Sequence, residues 1–275
     1  MVQIICLANS IKQQERCIAG INLNTGKWIR AISNSSTKDG SVPKSVRLIN
    51  GKEPALLDIL EIPLEQTGSD FGFESENLTI AAGRWQQVGR IQPGNAIKYC
   101  DNYPYILHNS DKYVNPSYLK SLSFEDRRTL QLVYVKQLSV SRLGGTRWRG
   151  TIVTETGQQL TDISITDPVF MGLVASGYTP KYPCLVTVSL SMPYCPSPSW
   201  RGECPCWKLI AAVIELSEFD LILVEMQRLN WSLQRGQDYL QKTYNKRSRQ
   251  QLTTTELNEF LTYLKSLPTT DTIVF

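Results

Sequence analysis

The sequence predicts a mainly β body followed by a small helical module, and three observations point there. From Met1 to about Leu216, short apolar segments are separated by Gly, Pro, Asn and Ser, the punctuation of barrels and sandwiches rather than of alternating βα units. Val186, Val188 and Leu190 interleave with Thr187, Ser189 and Ser191, and Ile163 and Ile165 interleave with Asp162 and Ser164, the two-residue period of a half-buried strand. After Phe219 the composition shifts to Leu, Met, Gln, Arg and Glu, good helix formers, and turn residues thin out.

The chain opens with two apolar strands around a polar turn carrying Asn9, Ser10, Lys12 and Arg16. A third strand follows with Lys27, Trp28 and Arg30. Successive side chains of a strand alternate faces, so Trp28 and Arg30 share one and Ile29 takes the other. A long loop over residues 33–54 leads to the strand LLDILEIPL, while residues 68–115 are too weakly patterned to assign. In the second half five strands are expected near residues 130–140, 148–155, 159–166, 185–192 and 207–216, with residues 169–176 between the third and the fourth. LIAAVI, residues 209–214, is apolar on both faces and reads as a strand packed on both sides. In the tail, Ser232 and Thr253 are N-caps, the latter forming a capping box with Glu256. Leu257, Phe260, Leu261 and Leu264 make one apolar stripe on a helix that stops before Pro268.

With 275 residues there is length for one large or two small domains, and a formal net charge of +4 suits a local phosphate-facing patch without itself marking a nucleic-acid binder. Seven cysteines and no secretory segment read as reduced thiols in the cytoplasm, and the odd number argues against a complete disulfide framework. The longest apolar run, residues 209–224, is broken by Glu215, Glu218 and Asp220, so no membrane span is expected.

Several strings carry a family resemblance: CLANSIK, RCIAG and GKWIR at the start, then LLDILEIPL, ESEN at 74–77, LHNSDKYV, ITDP, VTVSLSMPY and KLIAAVIEL. Together these resemble the dual OB-containing domain of bacterial conflict and defence systems. Ala31 stands where that family has proline, and CPSPSWRGECPC before the last strand is an insert. The resemblance implies two OB-like β-barrels, residues 1–128 and 129–216, ahead of the helical module at 217–275. The place of residues 169–176, between third and fourth strands, is where an OB barrel carries its helix.

The candidate nucleic-acid-binding residues are Asn9, Lys12, Arg16, Lys27, Trp28, Arg30, Arg147, Trp148, Arg149, Lys246, Arg247 and Arg249. Exposed aromatics stack bases and guanidiniums hold phosphate. Trp28 is expected mostly in the core, leaving Arg30 nearer a ligand, and Arg147 and Arg149 share a face with Trp148 anchored opposite. Cys195, Cys204 and Cys206 lack the fourth ligand of a structural zinc site, so no metal is expected. His108 has no nucleophile elbow or second histidine near it and reads as a structural hydrogen-bond donor. No phosphate-cradling glycine motif is present, and Asp58, Glu61, Asp162 and Asp167 lie on separate strands.

By resemblance, the expected function is non-enzymatic: an adaptor, without cofactor, that binds single-stranded or structured DNA or RNA in a defence or mobile-element system. The alternative is a protein-interaction scaffold whose helical tail docks an effector through the 257–264 stripe.

Overall fold

A computed structural model describes residues 1–12, 14–34, 40–101 and 103–268. The first sheet comprises β1 (Val2–Lys12), β2 (Glu15–Asn22), β3 (Trp28–Ile32), β4 (Asp58–Ile62), β5 (Asn77–Thr79) and β6 (Gln86–Arg90), with the short helix α1 (Lys44–Arg47) between β3 and β4. Their order is β5-β3-β2-β1-β4-β6. β5 runs parallel to β3, with Asn77 opposite Arg30. The sheet closes on itself where Leu64 bridges Ile80 and the Glu65 amide donates to the Thr79 carbonyl.

β1 is a continuous apolar run because both of its faces are covered. Ile4 and Cys6 point into the first barrel with Ile18, Ile29, Leu60 and Ile62, whereas Ile5 and Leu7 point outward into a second core. Gly20 lies across from the bulge in β1, where a Cβ would sit 1.9 Å from the Ile5 carbonyl oxygen, so only glycine fits.

The linker carries α2 (Pro93–Ala96), β7 (Tyr113–Val114) and α3 (Pro116–Ser121). The second barrel follows as β8 (Leu130–Gly144), β9 (Arg147–Thr154), β10 (Gln159–Ile165), α4 (Pro168–Ala175), β11 (Cys184–Leu190) and β12 (Cys206–Glu215). Antiparallel pairs β10-β9-β8-β11-β12 close through a parallel β10–β12 contact, Ser164 opposite Leu209, the closure of an OB barrel. All five expected strands are present, and α4 falls between the third and the fourth. Asp167 caps α4, its carboxylate accepting from the Val169 and Phe170 amides at 3.0 Å.

The tail forms α5 (Glu218–Arg228), α6 (Leu233–Tyr244) and α7 (Thr254–Ser266), with Ser232 and Thr253 as N-caps and the Thr253–Glu256 capping box in place. The helices form a layer over the junction of the barrels. Leu221, Ile222, Met226, Leu240, Leu257, Phe260, Leu261 and Leu264 share one core with Ile5 and Leu7 of β1, Leu132 of β8 and Leu185 of β11. The 257–264 stripe, which the scaffold alternative would use to dock an effector, is therefore spent on the protein's own body: Leu264 is fully buried and Phe260 nearly so.

The barrels also meet directly. Ala8, Ala19, Leu130 and Ala211 pack together at the contact, the Thr187 hydroxyl donates to the Leu7 carbonyl at 2.6 Å, and the Ile11 amide donates to the Thr166 carbonyl at 2.8 Å. Between them lies a buried ionic cluster that corrects the reading of Arg30. Its side chain is 2% exposed and pairs with Glu74 at 2.6 Å. It donates to Thr129 Oγ1 at 2.8 Å and Asn77 Oδ1 at 3.3 Å. Glu76 accepts from the Thr129 and Leu130 amides at 2.5 and 3.1 Å. Alternation along β3 gave Arg30 its face correctly, but that face is covered by the ESEN segment and the start of β8.

Arg30→Met would leave Glu74 and Glu76 buried without their cation. It is expected to lower the unfolding free energy by about 3–5 kcal/mol, against less than about 0.5 kcal/mol for the exposed Lys27→Met. Urea melts followed by tryptophan fluorescence check this.

Candidate functional site

Closure of the second barrel sets β9, β10 and β12 around a cleft of about 390 Å³. Arg149 enters from β9, Asp162 to Ser164 from β10, Trp207 to Leu209 from β12, Lys112 from the residue before β7, and Ser191, Tyr194 and Pro196 from the β11–β12 loop. β7 adds to β12 with Tyr113 opposite Trp207, which brings Lys112 to the rim. In an OB barrel this is the side where the second and third strands face the loop between the fourth and fifth.

The loop is the CPSPSWRGECPC insert, and it is well tied. Cys195 and Cys204 are joined by a disulfide, which corrects the expectation of reduced thiols at these positions. Cys206, two residues on, is a buried free thiol whose pKa burial pushes up to about 12. Among the described residues no group of three or more His, Cys, Asp or Glu side chains is placed to hold a metal ion. The Trp207 indole N–H donates to the Tyr194 carbonyl at 2.8 Å, and the Trp200 indole N–H to the Glu203 carbonyl at 3.0 Å. Tyr113, Trp200 and Trp207 pack edge to face, with centroids 5.4–6.0 Å apart. This cluster stiffens one wall, from which the Tyr194 side chain projects 64% exposed.

The opposite wall is charged. Arg149 Nη1 donates to the Asp162 carbonyl at 3.2 Å and its Nε lies 3.8 Å from the Asp162 carboxylate, which also meets Lys112 Nζ at 3.3 Å. Asp162 occupies a bulge in β10 with φ +55°, a left-handed conformation that Asp and Asn tolerate. In the floor, Lys208 is 2% exposed and donates to the Asn109 carbonyl and Oδ1 at 2.6 and 3.0 Å. Burial lowers its pKa to about 8.

The expected residues divide between this cleft and other places. Arg149 lines the cleft, Arg147 is exposed on the same strand, and Trp148 anchors against the barrel core with Arg142 over its ring at 5.9 Å. Asn9 donates to the Pro54 carbonyl at 2.7 Å, and Lys12 and Arg16 are half-buried beside it in the first hairpin. The hairpin reaches the second barrel at Thr166, just past the end of β10 and two residues beyond Ser164, the cross-strand partner of Arg149. Lys27 is exposed, but Trp28 is wedged between the helical core and the inter-barrel contact, its indole N–H buried without a partner. It does not form a stacking platform.

The tail patch is dispersed into local pairing. Lys246 is ion-paired with Glu256, whose pKa this hydrogen bond holds well down. Arg249 donates to the Phe219 carbonyl at 2.6 Å, and burial lowers its pKa. Arg247 is exposed. His108 Nε2 donates to the Arg128 carbonyl at 2.7 Å and its ring meets Tyr118 edge-on, the expected structural role, played from the short 3-10 turn Ile106–His108.

The reading from sequence passed over Lys112, Tyr194 and Trp207. Tyr194 and Trp207 flank the aromatic, cysteine-bounded insert between the fourth and fifth strands, and that insert was their signal, while Lys112 lies far upstream in LHNSDKYV.

Residues 2–213 match the family described as Dual OB-containing domain. A 45-residue stretch is 49% identical to the uncharacterized protein slr1353 of Synechocystis sp. (strain ATCC 27184 / PCC 6803 / Kazusa), covering 16% of this chain and 16% of that protein. Among solved structures, the tetrameric p202 HIN2 is 7% identical with a TM-score of 0.25, over 78% of this chain and 91% of that one. A murine DNA binding protein bound with ds DNA is 12% identical with a TM-score of 0.24, over 78% and 98%. At such TM-scores neither overlay establishes a shared arrangement. Among the described residues no helix is long and apolar enough to cross a membrane.

The depressed pKa of Lys208 makes a pH signature. The folded chain loses that proton near pH 8 and the unfolded chain near the ordinary 10.5, so between these values the unfolded state binds more protons. The stability of the wild type relative to Lys208→Met is therefore expected to rise with pH across that window and to be flat below it, as read from urea melts at stepped pH.

Proposed function

The chain belongs to the dual OB-containing domain family, and from that premise we propose that it binds nucleic acid, as a non-enzymatic module, through the cleft of its second barrel. The observation that carries this reading is the pairing of two unlike walls across one cleft. Arg149 and Lys112 offer phosphate contacts, while the stiffened Tyr194 and Trp207 side offers rings to unstacked bases. Walls of that kind favour an unpaired strand, because the bases of a duplex turn their faces to each other and not to the protein. Arg147 and the Lys12 hairpin extend the path along β9 and β10.

In the same proposal the ligand is single-stranded or structured DNA or RNA, the setting is cytoplasmic, and the role is that of an adaptor in a bacterial defence or mobile-element system. The scaffold alternative loses its support, since the stripe it required is buried against the body.

Fluorescence anisotropy with labelled single strands and duplexes tests the reading. Tyr194→Ala is expected to cost about 1–3 kcal/mol of single-strand affinity. Lys112→Ala and Arg149→Ala are each expected to reduce the slope of log K against log salt by about 0.7. Unchanged binding in all three variants sinks the assignment.

A further inference from the structure

We infer that Asp162 is an internal stand-in for phosphate, a carboxylate that a ligand must displace from Lys112 and Arg149. The inference rests on the reading of the cleft as a nucleic-acid site. Three features of the geometry support it.

The carboxylate lies between the two cations of the charged wall, within 3.3 Å of Lys112 Nζ and 3.8 Å of Arg149 Nε. Those separations exceed the roughly 2.7–2.9 Å of a tight charge-assisted hydrogen bond. The side chains involved are 47%, 31% and 55% exposed for Lys112, Arg149 and Asp162. Exposed ion pairs of this kind contribute little, so the contact is displaceable, unlike the buried pair of Arg30 with Glu74. Arg149 is meanwhile held by the Asp162 carbonyl, a bond independent of the carboxylate. Moving the carboxylate aside thus leaves a guanidinium already positioned. The left-handed bulge at Asp162 is what turns this residue to the cleft rim, because it breaks the register of β10 between Leu160 and Ile163.

The consequence is a threshold for polyanions. A phosphate alone exchanges one anion for another at the two cations and gains little. A strand that also offers an unpaired base to Tyr194 gains stacking on top of the exchange. The carboxylate lowers the affinity of both alike, which leaves a ligand that brings charge only too weak to be held.

Asp162→Asn is the test, since asparagine is nearly isosteric and tolerates φ +55°. Binding is measured by anisotropy with a labelled oligothymidylate, with inorganic polyphosphate as competitor, over a salt series. The expected result is tighter oligothymidylate binding, by about 3- to 10-fold at low salt, and a salt slope steeper by about 0.7. Polyphosphate should gain by a similar factor, because both ligands displace the same carboxylate. Weaker or unchanged binding of the oligonucleotide overturns the inference while Lys112→Ala with Arg149→Ala still lowers affinity. If that double variant binds as the wild type does, the cleft reading itself is what fails.

Discussion

The arrangement depends on one buried charge. Arg30 sits between the barrels with Glu74, Glu76, Asn77 and Thr129 around it, and burial works against its charge while the two carboxylates more than offset that, raising its pKa. Glu76 feels the opposite balance: desolvation raises its pKa against the pull of Arg30 and the Thr129 amide. A cation in this position has no acceptable alternative partner, because water does not reach it. The ESEN segment must therefore return to β3, and β8 must start where Thr129 and Leu130 can donate to Glu76. The ionic contact fixes the point at which one barrel ends and the other begins.

Around that point the strands are used on both sides. β1 gives alternate residues to the first barrel and to the helical layer, and β8 does the same, with Val133 and Val135 inside the second barrel and Leu132 outside it. The helices are thus a shared cover for two barrels. Their apolar stripes were visible in the sequence, but an amphipathic pattern states only that a face is buried, not whose surface buries it.

Legibility followed the same physical line. The second barrel could be read almost strand by strand, because its alternation is regular and its turns carry glycine. The first barrel yielded its opening strands, but β5 has three residues and β6 is a largely exposed QQVGR edge, so neither presents a periodic signal, and the two-residue β7 that flanks β12 has none either. In the site, Arg147 and Arg149 were legible as a strand pair. Lys112, Tyr194 and Trp207 were not, since they meet only when β12 closes on β10 and β7 adds to its flank. Arg30 was misplaced, and Trp28 was rightly expected in the core: period two assigns a face, and only the tertiary fold says what covers it.

The inter-barrel contact at Ala8, Ala19 and Ala211 has the depth of a methyl group. Tolerance there is consequently lopsided. Trimming a methyl costs about 1 kcal/mol, whereas any longer side chain acts as a wedge in a seam that has no room for it. Such a wedge strains the Ile11–Thr166 and Thr187–Leu7 bonds together, because both span the same seam.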